Sequence, residues 1–183
     1  MNLVILDRDG VINYDSDEYI KSPDEWVPIP GSLEAIARLT REGYRVVVAT
    51  NQSGIARGLF DTDTLNRIHS KMLQAVRNKG GEIDGVFFCP HGPDDRCRCR
   101  KPRTGLFEEI AGRLKGNLIG VYAVGDSERD IIAARDVMAQ PVLVKTGKGK
   151  RTLKSSEHLQ DVPVYDDLAQ FVDALLTESV RAS

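Results

Sequence analysis

Three short runs hold most of the side chains in this chain that could do phosphoryl chemistry. DRDG places Asp7 and Asp9 two residues apart, with Gly10 closing what reads as a turn. Two carboxylates at that spacing crowd each other unless a cation lies between them, although an isolated Asp-x-Asp is more often an Asx-turn or a helix cap. TNQSGIARG supplies Thr50, Asn51, Gln52 and Ser53, hydroxyl and amide groups of the kind that cradle an oxyanion such as phosphate. GDSERD adds Asp126 and Asp130. Clustered hard carboxylates suit Mg2+, which takes oxygen ligands and keeps waters and substrate phosphates in its shell. With that charge screened, one carboxylate can attack phosphorus and form an aspartyl-phosphate. A second can protonate the departing alkoxide and later activate the water that cleaves the intermediate.

A fourth run, CPHGPDDRCRCRKP, gathers all the cysteines of the chain. Cys89, His91, Cys97 and Cys99 are ligand types for tetrahedral Zn2+, and four protein ligands close the shell, so such a zinc is structural. The odd cysteine count and the absence of C-x-x-C argue against a disulfide framework or a redox pair. The loop is almost devoid of apolar residues and cannot bury a core of its own, so a metal would be what folds it. Arg100 and Lys101 follow the last ligand directly, so fixing Cys99 aims both cations: a bidentate fork and a point charge for phosphate. Arg96 and Arg98 read as solvated, His69 and His158 as surface residues.

Elements that could position these runs follow from periodicity. Apolar, β-branched stretches at 2–6, 45–49, 83–88, 119–124 and 141–144 read as buried strands. Amphipathic segments at 32–42, 63–78, 104–115, 127–138 and 166–176 read as helices, the second with a core stripe of Leu65, Ile68, Met72, Leu73 and Val76. Residues 146–161 read as a flexible loop, and the C-terminal tail is expected to fray. Alternating strands and helices imply an open α/β fold, a parallel sheet with helices on both faces. One domain is expected over 1–183, with a zinc loop at 89–101 and no large cap domain. Ligands of such sheets sit beyond the carboxyl ends of the strands, where every run above falls.

The motifs across residues 1–150 resemble, in order and spacing, the haloacid dehalogenase superfamily of Mg2+-dependent phosphatases. That resemblance implies a Rossmannoid fold, Asp7 as nucleophile and Asp9 as general acid/base. It implies that Thr50 and Lys101 stabilise the transferring phosphoryl group, and that Asp7, Asp126 and the backbone carbonyl of Asp9 hold Mg2+, with Asp130 a supporting acid. Within the superfamily, the cysteine loop with DRDGV and CRKP is similar to the branch of histidinol-phosphate phosphatases and D-glycero-D-manno-heptose 1,7-bisphosphate phosphatases. TNQSGIARG and VKTGKG look closer to the heptose enzymes. The implied reaction removes the 7-phosphate and leaves heptose 1-phosphate for nucleotide-activated heptose in bacterial surface glycans such as lipopolysaccharide, with histidinol phosphate as the rival substrate. By position, Asp15, Ser16, Asp17, Glu18, Thr50, Asn51, Gln52, Ser53, Arg100 and Lys101 would contact a small phosphorylated sugar. One position departs from the pattern: Ser127 stands where some heptose phosphatases carry a lysine.

Bulk properties frame these expectations. A net charge of -2 offers no field for polyanions, which counts against a zinc-stabilised nucleic-acid module built on Arg96, Arg98, Arg100 and Lys101. A metal sensor without activity leaves Thr50 and Asp9 unexplained. No apolar tract is long enough to cross a bilayer, and the N-terminal run has no basic leader. A cytoplasmic monomer, engaging neither nucleic acid nor membrane, is expected.

Overall fold

The first strand, LVIL, has no polar break, which only a strand covered on both faces tolerates. The structure, a computed structural model, describes residues 2–181. Six strands, β1 (Leu3–Leu6), β2 (Arg45–Asn51), β3 (Gly85–Cys89), β4 (Tyr122–Gly125), β5 (Gln140–Val144) and β6 (Val164–Tyr165), form one parallel sheet in the order β3-β2-β1-β4-β5-β6. The helices are α1 (Ser32–Arg41), α2 (Thr62–Asn78), α3 (Gly105–Leu114), α4 (Glu128–Asp136), α5 (Gly149–Ser155) and α6 (Leu168–Arg181).

Side chains alternate between the two faces of the sheet. Val4, Leu6, Val46, Val48, Val124 and Val142 meet Ile36 and Leu39 of α1, Ile68 and Met72 of α2, and Phe171 of α6. Leu3, Ile5, Val47, Ala49 and Phe87 meet Leu106 and Ile110 of α3 and Ala133 and Ala134 of α4. Each fully buried Leu or Ile in these layers contributes roughly 1.5–3 kcal/mol relative to exposure.

The chain moves outward from β1 to β2 to β3, then returns to lay β4 along the other edge of β1. The crevice at such a reversal opens beyond the carboxyl ends of the strands. Asp7 and Asp126 leave β1 and β4 on either side of it. The Asp7 N–H donates to Val124 O at 2.9 Å, continuing the β1–β4 ladder to the acid itself.

Several expectations change. Residues 149–155 are helical, not a flexible loop; their glycine and lysines carry no apolar stripe, and Thr152 instead ties the helix down by donating to Asp126 O at 2.8 Å. Strand β6 escaped notice because two residues carry no periodicity. Strand β2 runs on to Asn51, with Thr50 opposite Phe88 and Asn51 opposite Cys89, so both end the strand instead of following it. Strand β4 starts only at Tyr122. His69 is buried, not on the surface, since it lies four residues after Leu65 on the inward stripe of α2. Helix α6 continues through Arg181; the rest of the tail expected to fray, 182–183, lies outside the described residues. Between β1 and α1 the chain holds only a 3-10 turn at Pro23–Glu25, so no large cap covers the crevice. No described helix is long and apolar enough to cross a membrane.

Candidate active site

A cleft of about 370 Å³ lies over the β1–β4 crevice, with Asp7, Asp9, Gln52, Lys101, Asp126 and Asp130 in its wall. Asp7, Asp126 and Asp130 each bring a carboxylate oxygen within 4.8 Å of the others. Lys101 reaches in from the end of the cysteine loop. Its Nζ lies 3.1 Å from Asp7 Oδ1, and donates to Asp130 Oδ1 at 2.6 Å and Ala49 O at 2.7 Å. All three of its protons therefore have protein acceptors.

These acids differ in what neutralises them. Asp130 Oδ2 accepts from the N–H groups of Asp126 and Ser127 and from Ser127 Oγ at 2.8 Å. Burial would raise the Asp130 carboxyl, but Lys101 and these donors hold it below the ordinary range. Both oxygens are thus engaged, which suits a supporting acid. Asp7 is pushed up to about 7 by burial and then by Asp130, against the pull of Lys101. Asp126 is raised well above its ordinary value by burial, then by Asp7 and Asp130. Two buried carboxylates that resist ionisation for want of positive charge fit Mg2+, a hard cation that takes oxygen donors. Because folding raises the Asp7 pKa, stability of the metal-free protein falls as pH rises from the ordinary carboxylate range through about 7.

Asp126 is held from the far side by the segment first read as a loop. The Lys148 N–H donates to Asp126 Oδ2 at 2.8 Å, and Thr146 Oγ1 to Gly10 O at 2.6 Å. Gly10 and Gly147 both have positive φ, +83° and +57°, and a Cβ on either would collide with the Asp126 carboxylate. Two glycines are what let this acid fit between the loops.

Asp9 is surrounded by donors. Oδ1 accepts from Arg8 Nε and Asn13 Nδ2, both at 2.9 Å, and Oδ2 from Gln52 Nε2 at 3.1 Å. Burial opposes ionisation, but Arg8 and the hydrogen bonds prevail and hold this carboxyl below its usual range. Gln52 also donates to Thr50 Oγ1 at 2.9 Å. Thr50 is buried beneath the cleft and reaches it through Gln52, as its place inside β2 dictates.

The cysteine loop brings its four candidate ligands together, all within 4.8 Å. Cys89 Sγ is 3.4 Å from His91 Nδ1 and 3.8 Å from Cys97 Sγ, and His91 Nδ1 is 3.2 Å from Cys99 Sγ. A tetrahedral zinc with bonds of about 2.0–2.3 Å separates its ligands by roughly 3.5–3.8 Å, so the set fits. Burial pushes the Cys89 thiol up, whereas the Arg100 N–H and its sulfur neighbours bring Cys97 down to about 7 against its burial. Arg103 Nη1 donates to Cys97 O at 2.6 Å and Asp95 O at 3.1 Å, a staple that sequence reading passed over. Past the cluster, the Lys101 N–H donates to Asn51 Oδ1 at 2.9 Å and Asn51 Nδ2 to Lys101 O at 3.0 Å. Asn51 thus clamps the Lys101 backbone. Among the described residues, the Arg100 side chain has only the 3.3 Å bond from its Nη1 to His91 O.

The more exposed part of the cleft adds cations. Asp15, Ser16, Asp17, Asn51, Ser53 and Arg100 line it, but Glu18 is exposed outside it, its N–H on Ser16 Oγ. Arg57, Arg129, Lys148 and Tyr19 also line it and were missed, though each lies in or beside a run already singled out. Lys148 Nζ pairs with Asp15 at 2.9 Å, and Arg57 lies 5.7 Å from the centre of the Tyr19 ring. Neither Arg57, Arg100 nor Arg129 makes an ion pair among the described residues. Burial and then the Arg129 guanidinium hold Arg100 below its ordinary value. Crowded guanidinium groups that make no ion pair fit an anion.

A Rossmannoid sheet with an Asp-x-Asp after its first strand, a buried lysine and further acids after the fourth defines the haloacid-dehalogenase class of phosphohydrolases. Comparison with known proteins narrows the class. The family model HAD-hydrolase-like matches residues 98–171. A D-glycero-beta-D-manno-heptose-1,7-bisphosphate 7-phosphatase of Bordetella bronchiseptica is 55% identical over 98% of this chain and 100% of its own. The Pseudomonas putida phosphatase of the same name is 53% identical over 96% of this chain and 100% of its own. A crystal structure of the B. bronchiseptica D,D-heptose 1,7-bisphosphate phosphatase, complexed with magnesium and phosphate, superposes with a TM-score of 0.95 at 56% identity, covering 97% of this chain and 99% of that one. The chain belongs to this family of heptose bisphosphate phosphatases within the HAD-like hydrolases.

Proposed function

We propose that this chain removes the 7-phosphate of D-glycero-β-D-manno-heptose 1,7-bisphosphate, leaving heptose 1-phosphate for nucleotide-activated heptose in surface glycans. The observation that carries the reading is the make-up of the cleft: buried acids and Lys101 in one part of its wall, and in the more exposed part three guanidinium groups that make no ion pair among the described residues. A substrate with a phosphate at each end matches both. The identity to named heptose phosphatases supports it. A monomer of one domain over residues 1–183, acting in the cytoplasm on a freely diffusing sugar, completes the reading.

Asp7 is the nucleophile. Its Oδ1 accepts the Arg8 N–H at 2.8 Å and faces Lys101, which leaves Oδ2 to form the bond to phosphorus as the bond to the sugar oxygen breaks. Asp9 gives its proton to that oxygen, then takes one from the water that attacks the aspartyl-phosphate and frees Asp7. The donors around Asp9 leave it ionised in the ligand-free protein, ready for the second half; the first half requires it to gain a proton as the anionic substrate arrives beside it. Asp7, Asp126 and the Asp9 carbonyl would hold Mg2+, which when bound offsets charge on the phosphoryl oxygens. Lys101 adds its charge from below, and the Thr50 hydroxyl acts through Gln52, whose Nε2 donates to it at 2.9 Å, while its own proton makes only a long 3.5 Å bond to Asn51 O. At the mouth, Arg100 with Arg57, Arg129 and Lys148 takes the 1-phosphate, supplying the charge absent at Ser127.

The test compares phosphate release from heptose 1,7-bisphosphate and from histidinol phosphate with Mg2+ present, following the product by phosphorus NMR. Faster turnover of the heptose, with the 1-phosphate retained, is expected; the reverse preference overturns the reading.

Cys89, His91, Cys97 and Cys99 hold a structural zinc in this scheme. Because Lys101 is clamped by Asn51 and Arg100 is not, zinc removal acts on substrate binding more than on chemistry. Chelation is expected to raise KM roughly tenfold or more, the scale of one lost charge-assisted contact, with kcat falling less than about threefold. Steady-state kinetics before chelation, after it and after zinc is restored measures this; a fall confined to kcat contradicts it.

A further inference from the structure

Behind Asp9 lies a buried pair that the scheme above leaves unused. Arg8 is fully buried, 0% exposed, a costly place for a guanidinium, and His69 of α2 is 6% exposed. Arg8 Nη1 and His69 Nε2 are 3.0 Å apart. Arginine can only donate, so His69 Nε2 is the acceptor and the ring is neutral. Burial, and then the Arg8 charge, push the His69 pKa down to about 3, so the ring stays an acceptor throughout the neutral range. The ring also stands 6.3 Å, centre to centre, from Phe88 of β3, packed between helix and sheet.

The other side of the guanidinium settles on Asp9. Nε donates to Oδ1 at 2.9 Å, and Nη2 lies 2.9 Å from the same oxygen. With Asn13 also on Oδ1, that oxygen is saturated, while Oδ2 has only the longer Gln52 bond. The donors thus distinguish the two oxygens, and Oδ2 is the one left to exchange a proton in the cleft. Without an acceptor at position 69, Nη1 is left in an apolar layer and the fork has no reason to hold this angle.

We propose that His69 is a positioning residue for proton transfer: by accepting from Arg8 it holds the guanidinium against Asp9 Oδ1, and so aims Oδ2 at the leaving oxygen of the substrate. The inference rests on the phosphomonoesterase reading above and adds a residue from α2. A role in proton delivery has a signature that mere packing lacks. A sugar alkoxide needs a proton to depart, whereas p-nitrophenolate leaves well without one. The ratio kcat/KM reports only steps up to departure of the leaving group, so later hydrolysis of the aspartyl-phosphate does not enter it.

His69→Leu is therefore expected to lower kcat/KM about 10- to 100-fold on heptose bisphosphate but less than about threefold on p-nitrophenyl phosphate. His69→Gln, whose Oε1 can accept from Arg8, recovers most of the loss on the sugar. Equal losses on both substrates, no loss on either, or a Gln variant no better than Leu overturns the proposal. Should the Leu variant not fold, Arg8→Lys keeps the charge but cannot span His69 and Asp9 together, and it must show the same split between substrates. Wild-type protein that hydrolyses neither ester refutes the enzymatic reading itself, and the inference falls with it; wild-type turnover with an unsplit variant refutes the inference alone.

Discussion

Asp7→Asn folds and loses turnover. The asparagine Oδ1 keeps the bond from the Arg8 N–H and the contact with Lys101, so the strand end is undisturbed. Lost is the second carboxylate oxygen, the atom proposed to bond to phosphorus, and an amide nitrogen cannot replace it. Phosphate release should fall at least about 10⁴-fold, equivalent to about 5.4 kcal/mol of barrier. The same change removes a carboxyl that burial and Asp130 have pushed up to about 7. Melting in EDTA at pH 8 should accordingly show a variant no less stable than the wild type. Retention of more than about 1% of turnover would require a different nucleophile.

Lys101→Met is the variant expected to damage both rate and stability. Lys101 and Asp130 are 3% and 7% exposed, Asp7 14%, so the charges meet with little solvent screening. Removing one partner of a buried ionic cluster typically costs about 3–5 kcal/mol, because the remaining charges stay buried and uncompensated. That corresponds to roughly 6–20 °C in Tm for a chain of this size. The pH dependence fixes the cause. In the wild type, Asp130 is held below its ordinary pKa, so its contribution is present above the carboxylate range and lost as pH falls through its folded value. Without Lys101, burial dominates, the folded pKa moves above the unfolded one, and ionised Asp130 becomes destabilising. The Tm gap between variant and wild type should therefore widen from pH 5 to pH 7.5; a gap independent of pH assigns the loss to packing. Turnover should drop about 10²- to 10³-fold, as for loss of a preorganised group at the reacting centre.

The chemistry of this chain was legible where side-chain type alone decides it. Acid pairs at strand ends, four thiol and imidazole ligands in one loop, and alternating apolar stretches pointed to the sheet, the acid cluster and the cysteine cluster that the structure brings together. What escaped depends on approach between distant segments. Helix α5 has no apolar stripe and is tied down by Thr152 on the Asp126 carbonyl, a contact no local pattern announces. His69 reads as a surface residue because a polar side chain on a helix usually is one, yet its partner lies 61 positions earlier. Arg57, Arg129 and Lys148 sat in view within or beside the quoted runs, but only the fold shows that they share one mouth.

Asn51 has a consequence beyond catalysis. It pairs in register with Cys89 at the start of the cysteine loop, and its side chain grips the Lys101 backbone at the end. A loop whose two ends meet at one residue can be exchanged with little entropic cost and without disturbing its anchors. Residues 90–100 are in this sense a cartridge. Lineages or designers could swap it to read a different distal group while the phosphate-cleaving end of the enzyme stays as it is.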